Sequence, residues 1–348
     1  MTSAADVIRA ITKPVIAAAL AAALTGCLLS ERLESFSGPT MGSTYTVKYV
    51  RTNAVPAPEV LQADVEAFLA ELDQQVSTYR DDSLIEQFNQ APAGACQAMP
   101  PAVLDLVDYG LSLSQASDGA FDMTVEPLLN LWGFGPKGEK MRVPSEQEIA
   151  QAQALMGSQH LRVEGSQLCK AIALELDFNA IAAGYAVDQI GLLLKSRGIE
   201  NYMVEATGEL KAQGRKPDGS AWRIAIEAPQ EGQTVVQRII NLDGYGVSTS
   251  GDYRNYFEQE GQRYSHTLNP KVGAPINHKL AAVTVVAPSA LEADGLSTLL
   301  LVLGPDEGRQ YAVEHQLAAL FVVREGEGFA SYTTPAFDAL FGAQGENR

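Results

Sequence analysis

Residues 246–276 read GVSTSGDYRNYFEQEGQRYSHTLNPKVGAPI. Small residues, turn formers and aromatics crowd a stretch where a surface loop would carry charge, and one histidine stands near its end. Val247 to Ser250 offers no side chain larger than valine, so amides and the Ser248, Thr249 and Ser250 hydroxyls can approach an anionic, oxygen-rich ligand, with Gly251 free to supply a positive φ. His266 precedes an Asn-Pro and a glycine, which places it on a strand end or turn rather than inside a helix. The stretch lies between strand-like runs at Trp222–Ala228 and Ala282–Val286. Strands and helices therefore do not alternate strictly, and the expected class is α+β, with mixed, largely antiparallel sheets flanked by helices and a ligand cleft between subdomains.

Outward from that stretch, further strands are expected at Gly42–Val50, Arg162–Val163, Ala171–Asp177 and Tyr202–Glu205. Helices are expected at Pro58–Thr78, Ser83–Asn89, Pro101–Ser117, Ser145–Met156, Gly184–Arg197 and Glu292–Leu303, the second opened by Ser83 with Glu86 three residues on. No GxGxxG follows a strand and no Walker sequence occurs, which removes the common nucleotide cradles. The chain has 348 residues, 46% of them hydrophobic, with 30 Gly and 17 Pro, which suits one large globular unit. A formal charge of −17 without a basic cluster speaks against nucleic acid as a partner.

The N-terminus carries its own signal. Arg9 and Lys13 precede the apolar run Val15–Leu24, too short to span a bilayer and suited to secretion. Leu24-Thr25-Gly26-Cys27 closes it and resembles the bacterial lipoprotein box, so residues 1–26 are expected to be removed, Cys27 lipidated, residues 27–37 to form a tether and residues 38–345 the domain. With Cys27 so assigned, Cys96 and Cys169 are the remaining pair, and an exported chain could bridge them or leave them free.

Three further segments carry chemistry. Gly119–Pro136, GAFDMTVEPLLNLWGFGP, sets Phe121, Trp132 and Phe134 among turn formers, as a ligand loop or a core lid. Leu176–Asp188, LDFNAIAAGYAVD, passes through a small-residue turn into a helix, either to face a ligand or simply to pack tightly. In Ala293–Thr298, ADGLST, Asp294 and Thr298 stand four apart on one helical face, a hard-oxygen pair suited to Mg²⁺.

In this order the segments resemble the ApbE family of flavin transferases over residues 38–340. The matching motifs are Met41-Gly42, Ser77–Tyr79, Ala120–Asp122, Trp132–Gly135, Asp177, Gly184–Asp188, Gly208-Glu209, Thr249–Tyr253, His266 with Pro270 and Gly273, and Ala293–Thr298. The resemblance implies transfer of the FMN moiety of FAD onto a Thr or Ser hydroxyl of a partner redox protein, with AMP released. It implies His266 as base, FAD contacts at Met41, Tyr79, Ala120, Phe121, Asp122, Asp177, Ala183, Ser250, Gly251 and Thr267, and Mg²⁺ on Asp294, Thr298 and the Ala180 carbonyl. The implied partner is a flavin-accepting subunit of a membrane redox complex, met by a lipid-anchored enzyme on the periplasmic side of the cell envelope, at the inner membrane. Ala183 stands where the family usually has Lys or Glu, Asn269 where it has Asp, and Lys271-Val272 where Arg-Thr is common. An FAD pyrophosphatase and a flavin-binding lipoprotein without turnover are the alternatives.

Overall fold

The computed structural model describes residues 31–138, 140–229, 235–253, 255–326 and 328–342. The expected signal segment and Cys27 lie outside them. In chain order come β1 (Arg32–Thr40), β2 (Ser43–Arg51), α1 (Pro58–Val76), α2 (Leu84–Gln90), β3 (Cys96–Ala98), α3 (Pro101–Ala116), α4 (Glu126–Trp132) and α5 (Glu146–Gln153). Next are β4 (Leu161–Glu164), β5 (Gln167–Lys170), α6 (Ala182–Ser196), β6 (Tyr202–Ala206), β7 (Glu209–Gln213), β8 (Trp222–Glu227), β9 (Val236–Leu242) and β10 (Tyr245–Gly251). The chain continues through β11 (Tyr256–Gln259), β12 (Gln262–Ser265), β13 (Leu268–Asn269), β14 (Ala274–Pro275), β15 (Leu280–Ala287), α7 (Ala290–Glu314), β16 (Ala318–Glu325), β17 (Gly328–Thr333) and α8 (Pro335–Phe341).

Eight strands form the main sheet in the order β1-β2-β6-β7-β10-β15-β16-β17. Among the described residues every pairing is antiparallel rather than mixed, and the class is α+β as the element order requires. On one face, Tyr45, Val47 and Tyr49 of β2 alternate inward with Tyr202, Val204 and Ala206 of β6, against Leu61, Val65 and Leu69 of α1 and Val187, Ile190 and Leu194 of α6. On the other face, Trp222, Ile240 and Phe337 of β8, β9 and α8 cover Leu210, Ala212 and Val247. A strand covered on both faces has no solvent side, which is why all eight residues of β15 are buried.

Three expectations change. Residues 32–37, expected as tether, belong to β1, paired with β2 from Arg32↔Arg51 to Thr40↔Ser43. Ala171–Asp177 is not a strand, because side chains satisfy its backbone: Asn89 donates to the Leu176 carbonyl at 3.0 Å and accepts from its amide at 2.8 Å, while Lys170 Nζ donates to Leu174 O at 2.9 Å. The hairpin lies earlier, in β4 and β5. The helix expected to end at Leu303 continues beyond a kink at Gly304, where φ is 82°. Pro305 has no N–H for the carbonyl four residues back, and His278 Nε2 meets that carbonyl, Leu301 O, at 2.8 Å instead.

Cys96 and Cys169 face each other across β3 and β5 and are joined in a disulfide. Ser83 caps α2 by accepting from the Glu86 amide at 3.1 Å.

Candidate functional site

A cleft of about 340 Å³ opens between the end of β10, the start of α7, the 120–129 loop and the turn before α6. Its walls include Ala120, Phe121, Asp122, Asp177, Ala180, Ser250, Gly251, His266, Thr267, Asp294 and Thr298. Segments far apart in sequence are thus brought together. Met41, Tyr79 and Ala183 do not line it. Met41 sits in the β1–β2 turn with φ of 45°, Tyr79 is 67% exposed, and Ala183 is buried in the first turn of α6. Trp132 is also a core residue, its ring against Tyr264 and its Nε1 donating to Gly273 O at 3.0 Å.

His266 is aimed by its surroundings. Its Nδ1 lies 3.0 Å from the Asn255 carbonyl, so that nitrogen carries the proton and Nε2 keeps its lone pair. The backbone amide of His266 donates to the same carbonyl at 3.0 Å, and the Phe134 ring meets the imidazole edge to face at 6.5 Å. Burial lowers the His266 pKa, against a raising pull from the Asn255 carbonyl and Asp252. The neutral base is therefore favoured.

Asp294 stands in the second turn of α7 and reaches the first turn of α6. Its Oδ2 accepts from the Gly184 amide at 3.0 Å, capping one of the amides that a helix start leaves free. Gly184 is required there, since a Cβ would come within 2.4 Å of Ala290 O. The small residues after Asp177 thus serve close helix packing as well as the cleft. Glu209, outside the expected contact set although its Gly-Glu motif was visible, lines the cleft too. Burial, then the Glu209 charge, hold the Asp294 carboxyl well above its ordinary range, and burial likewise raises Glu209. A buried and a half-buried carboxyl group without a cation partner among the described residues form a site that a metal ion would relieve. Asp294, the Thr298 hydroxyl and the Ala180 carbonyl are hard oxygen donors of few number, which fits Mg²⁺ with water or phosphate completing its shell. Among the described residues no cluster of three or more His, Cys, Asp or Glu forms an all-protein cage.

Two other acidic side chains of the wall are held by local hydrogen bonds. Asp122 Oδ1 accepts from the Thr124 amide at 2.9 Å, the Thr124 hydroxyl at 2.8 Å and the Ser158 hydroxyl at 2.8 Å, which fixes the 120–129 loop. Asp177 closes a turn on Asn179, with bonds of 2.7 and 2.8 Å, and burial pushes it up to about 6.

The expected hydroxyl wall is partly redirected. Ser248 is buried against Ser297 at 3.1 Å, and the Thr249 hydroxyl pairs with Thr284 at 2.7 Å. Gly251 ends β10 without a positive φ; its lack of a Cβ instead admits the Tyr253 ring, which would stand 2.5 Å from one.

Relatives share this chain's sequence and fold. A 315-residue match of 42% identity, covering 90% of this chain and 94% of the relative, is to the FAD:protein FMN transferase of Vibrio cholerae. The Klebsiella pneumoniae protein of the same name is 41% identical over 305 residues, 86% of this chain and 87% of its own. The crystal structure of Pseudomonas stutzeri flavinyl transferase ApbE in its apo form superposes with a TM-score of 0.86 at 62% identity, covering 90% of this chain and 98% of that one. Fold, cleft and kinship make this chain an enzyme of the transferase class. It belongs to the ApbE family, whose sequence profile matches residues 41–321.

Proposed function

We propose that this chain transfers the FMN moiety of FAD onto a Thr or Ser hydroxyl of a partner protein, releasing AMP. The observation that carries the reading is the convergence of His266, with Nδ1 held by the Asn255 carbonyl, and the Asp294–Thr298 oxygens on one cleft.

His266 Nε2 takes the proton of the acceptor hydroxyl, whose oxygen attacks the phosphorus on the FMN side. The bond from that phosphorus to the bridging oxygen breaks, and AMP leaves with the bridging oxygen. Because burial keeps the imidazole neutral, the base is ready near neutral pH. Asp294, Thr298 and the Ala180 carbonyl would hold Mg²⁺, which when bound would neutralise charge on the pyrophosphate. The 120–129 loop, fixed by Asp122, shapes the wall beside the flavin, and Phe134 keeps the imidazole from turning.

In the cell we place the enzyme at the periplasmic face of the inner membrane, held by acyl chains on Cys27 and acting on a flavin-accepting subunit of a membrane redox complex. The support is the Leu24–Cys27 sequence and the early start of β1. Five residues from Cys27 to Arg32 span at most about 17 Å, so an anchored domain would work close to the bilayer. The test is to mix the protein with FAD, Mg²⁺ and a threonine-bearing peptide from a redox subunit, then weigh the peptide and assay AMP. A mass gain of one FMN with matching AMP is expected. FMN and AMP free in solution, with an unmodified peptide, would mean hydrolysis instead.

A further inference from the structure

Four hydroxyl groups meet behind the carboxylates, and counting their protons fixes which way they point. Ser297, fully buried in α7, donates its only hydroxyl proton to the Asp294 carbonyl at 2.9 Å. It must therefore act as acceptor in its other two contacts, with Ser250 at 2.8 Å and Ser248 at 3.1 Å. Ser250 then has no proton left, and in its 3.3 Å contact with Thr298 it is the acceptor. Thr298 in turn donates to Ser250. The Thr249–Thr284 pair stands apart from this chain.

We propose that Ser297 is a positioning residue for the cation site, ordering the hydroxyls as Thr298 to Ser250 to Ser297 to the Asp294 carbonyl so that the Thr298 lone pairs face the cleft. The proposal rests on the reading that Mg²⁺ binds at Asp294 and Thr298. A hydroxyl that turns its hydrogen into the cleft repels a cation, whereas one whose hydrogen is held elsewhere offers an oxygen. Ser297 touches neither the ion nor the ligand. Its role is to take up the Ser250 proton on one side and lock its own onto the α7 backbone on the other. The same ordering makes Ser250 an acceptor toward the cleft, so it faces a cation better than a phosphate oxygen, in contrast with the anion-binding wall expected of residues 247–251. Groups that orient a metal ligand commonly change affinity by about 10- to 100-fold when removed.

The experiment is calorimetric titration of the purified full chain with Mg²⁺ alone, without FAD, for the wild type, Ser297→Ala, Ser250→Ala, the double variant and Asp294→Ala. Ser297→Ala is expected to weaken Mg²⁺ binding by roughly 10- to 100-fold, and Ser250→Ala by a similar factor. Because both act through one chain of hydroxyls, the double variant should lose clearly less than the product of the two. Wild-type Mg²⁺ affinity in Ser297→Ala, or a strictly multiplicative double variant, overturns the proposal. If Asp294→Ala loses the ion while Ser297→Ala keeps it, the hydroxyl chain fails and the metal reading survives. If Asp294→Ala binds Mg²⁺ as the wild type does, the metal reading itself fails and takes this inference with it. Thermal melts guard against misfolding. Should Ser297→Ala not melt cooperatively, half-buried Ser250→Ala decides alone, and unchanged Mg²⁺ affinity in that variant overturns the proposal.

Discussion

Replacing Lys137 with methionine should destabilise the protein in a pH-dependent way and disturb the site from a distance. Lys137 Nζ lies 2.7 Å from Glu86, 3.4 Å from Glu126 and 3.2 Å from Glu175. Glu86 and Glu126 are buried, and Glu86 Oε2 has no hydrogen-bond partner among the described residues. Removing one member of a fully buried ion pair costs about 3–5 kcal/mol. The Lys137 side chain is 41% exposed, so solvent screening reduces the expected loss to about 2 kcal/mol, or about 4 °C in melting temperature for a chain of this size. Burial, and then the Asp177 charge, push Glu126 from 4.5 up to about 8, with Lys137 pulling the other way. A carboxyl whose folded pKa is raised adds stability that is complete below its unfolded value and is lost as pH climbs to the folded one. For Glu126 that window runs from 4.5 to about 8, and without Lys137 it extends further upward. Urea unfolding at about pH 5 and about pH 8.5 should therefore show a smaller deficit for Lys137→Met at the lower pH, where the Glu126 contribution is missing, and the full deficit at the higher. Turnover should fall as well, because the Lys137 side chain ties the loop whose Phe134 abuts His266 to the carboxylates of Glu86, Glu126 and Glu175. Equal stability at the higher pH, or the same deficit at both, would refute the reasoning.

His266→Ala should lower turnover by roughly 10²- to 10⁴-fold with FAD affinity little changed. Neither His160 nor His315, whose ring stacks on Tyr311 at 4.1 Å, lines the cleft, and equal losses on changing either would make the His266 effect structural. Since burial lowers the His266 pKa, the acid limb of kcat/KM should fall below 6.5, and a limb at or above that value would contradict the assignment. Asp294→Ala should abolish Mg²⁺-dependent turnover while FAD still binds, and excess EDTA should do the same to the wild type; full rates in either case would remove the metal. Cys27→Ser should release an active domain from membranes that otherwise hold it through a salt wash, and mass spectrometry showing an unmodified, soluble N-terminus beyond residue 27 in the wild type would leave no anchor.

Elements with strong local periodicity were readable. Leu61, Val65, Leu69 and Leu72 fall on one face of α1, and Ser83 with Glu86 marked the start of α2. β1 was not readable, because RLESFSGPT is an edge strand with only Phe36 buried and so lacks an apolar alternation. The false strand at Ala171–Asp177 has the right alternation, with Leu174 and Leu176 inward, but its hydrogen bonds go to Asn89 and Lys170 side chains. Nothing local distinguishes a backbone satisfied by a neighbouring strand from one satisfied by an asparagine 87 residues away.

At the site, what was legible was again local. Asp294 and Thr298 pair by helical spacing, and His266 is marked by the turn formers around it. The rest depends on where β10 and α7 meet. Glu209 joins Asp294 only because β7 pairs β10, and β10 packs on α7. Two carboxyl groups raised by burial, with no cation beside them among the described residues, are held away from their ordinary ionised form at a cost that a cation would relieve. A fold that placed them together for stability alone would be stabilised by replacing either with an apolar residue. Such a conflict between local chemistry and global packing is the mark of a place held for a ligand, and it points to the same few oxygens that the helical spacing singles out.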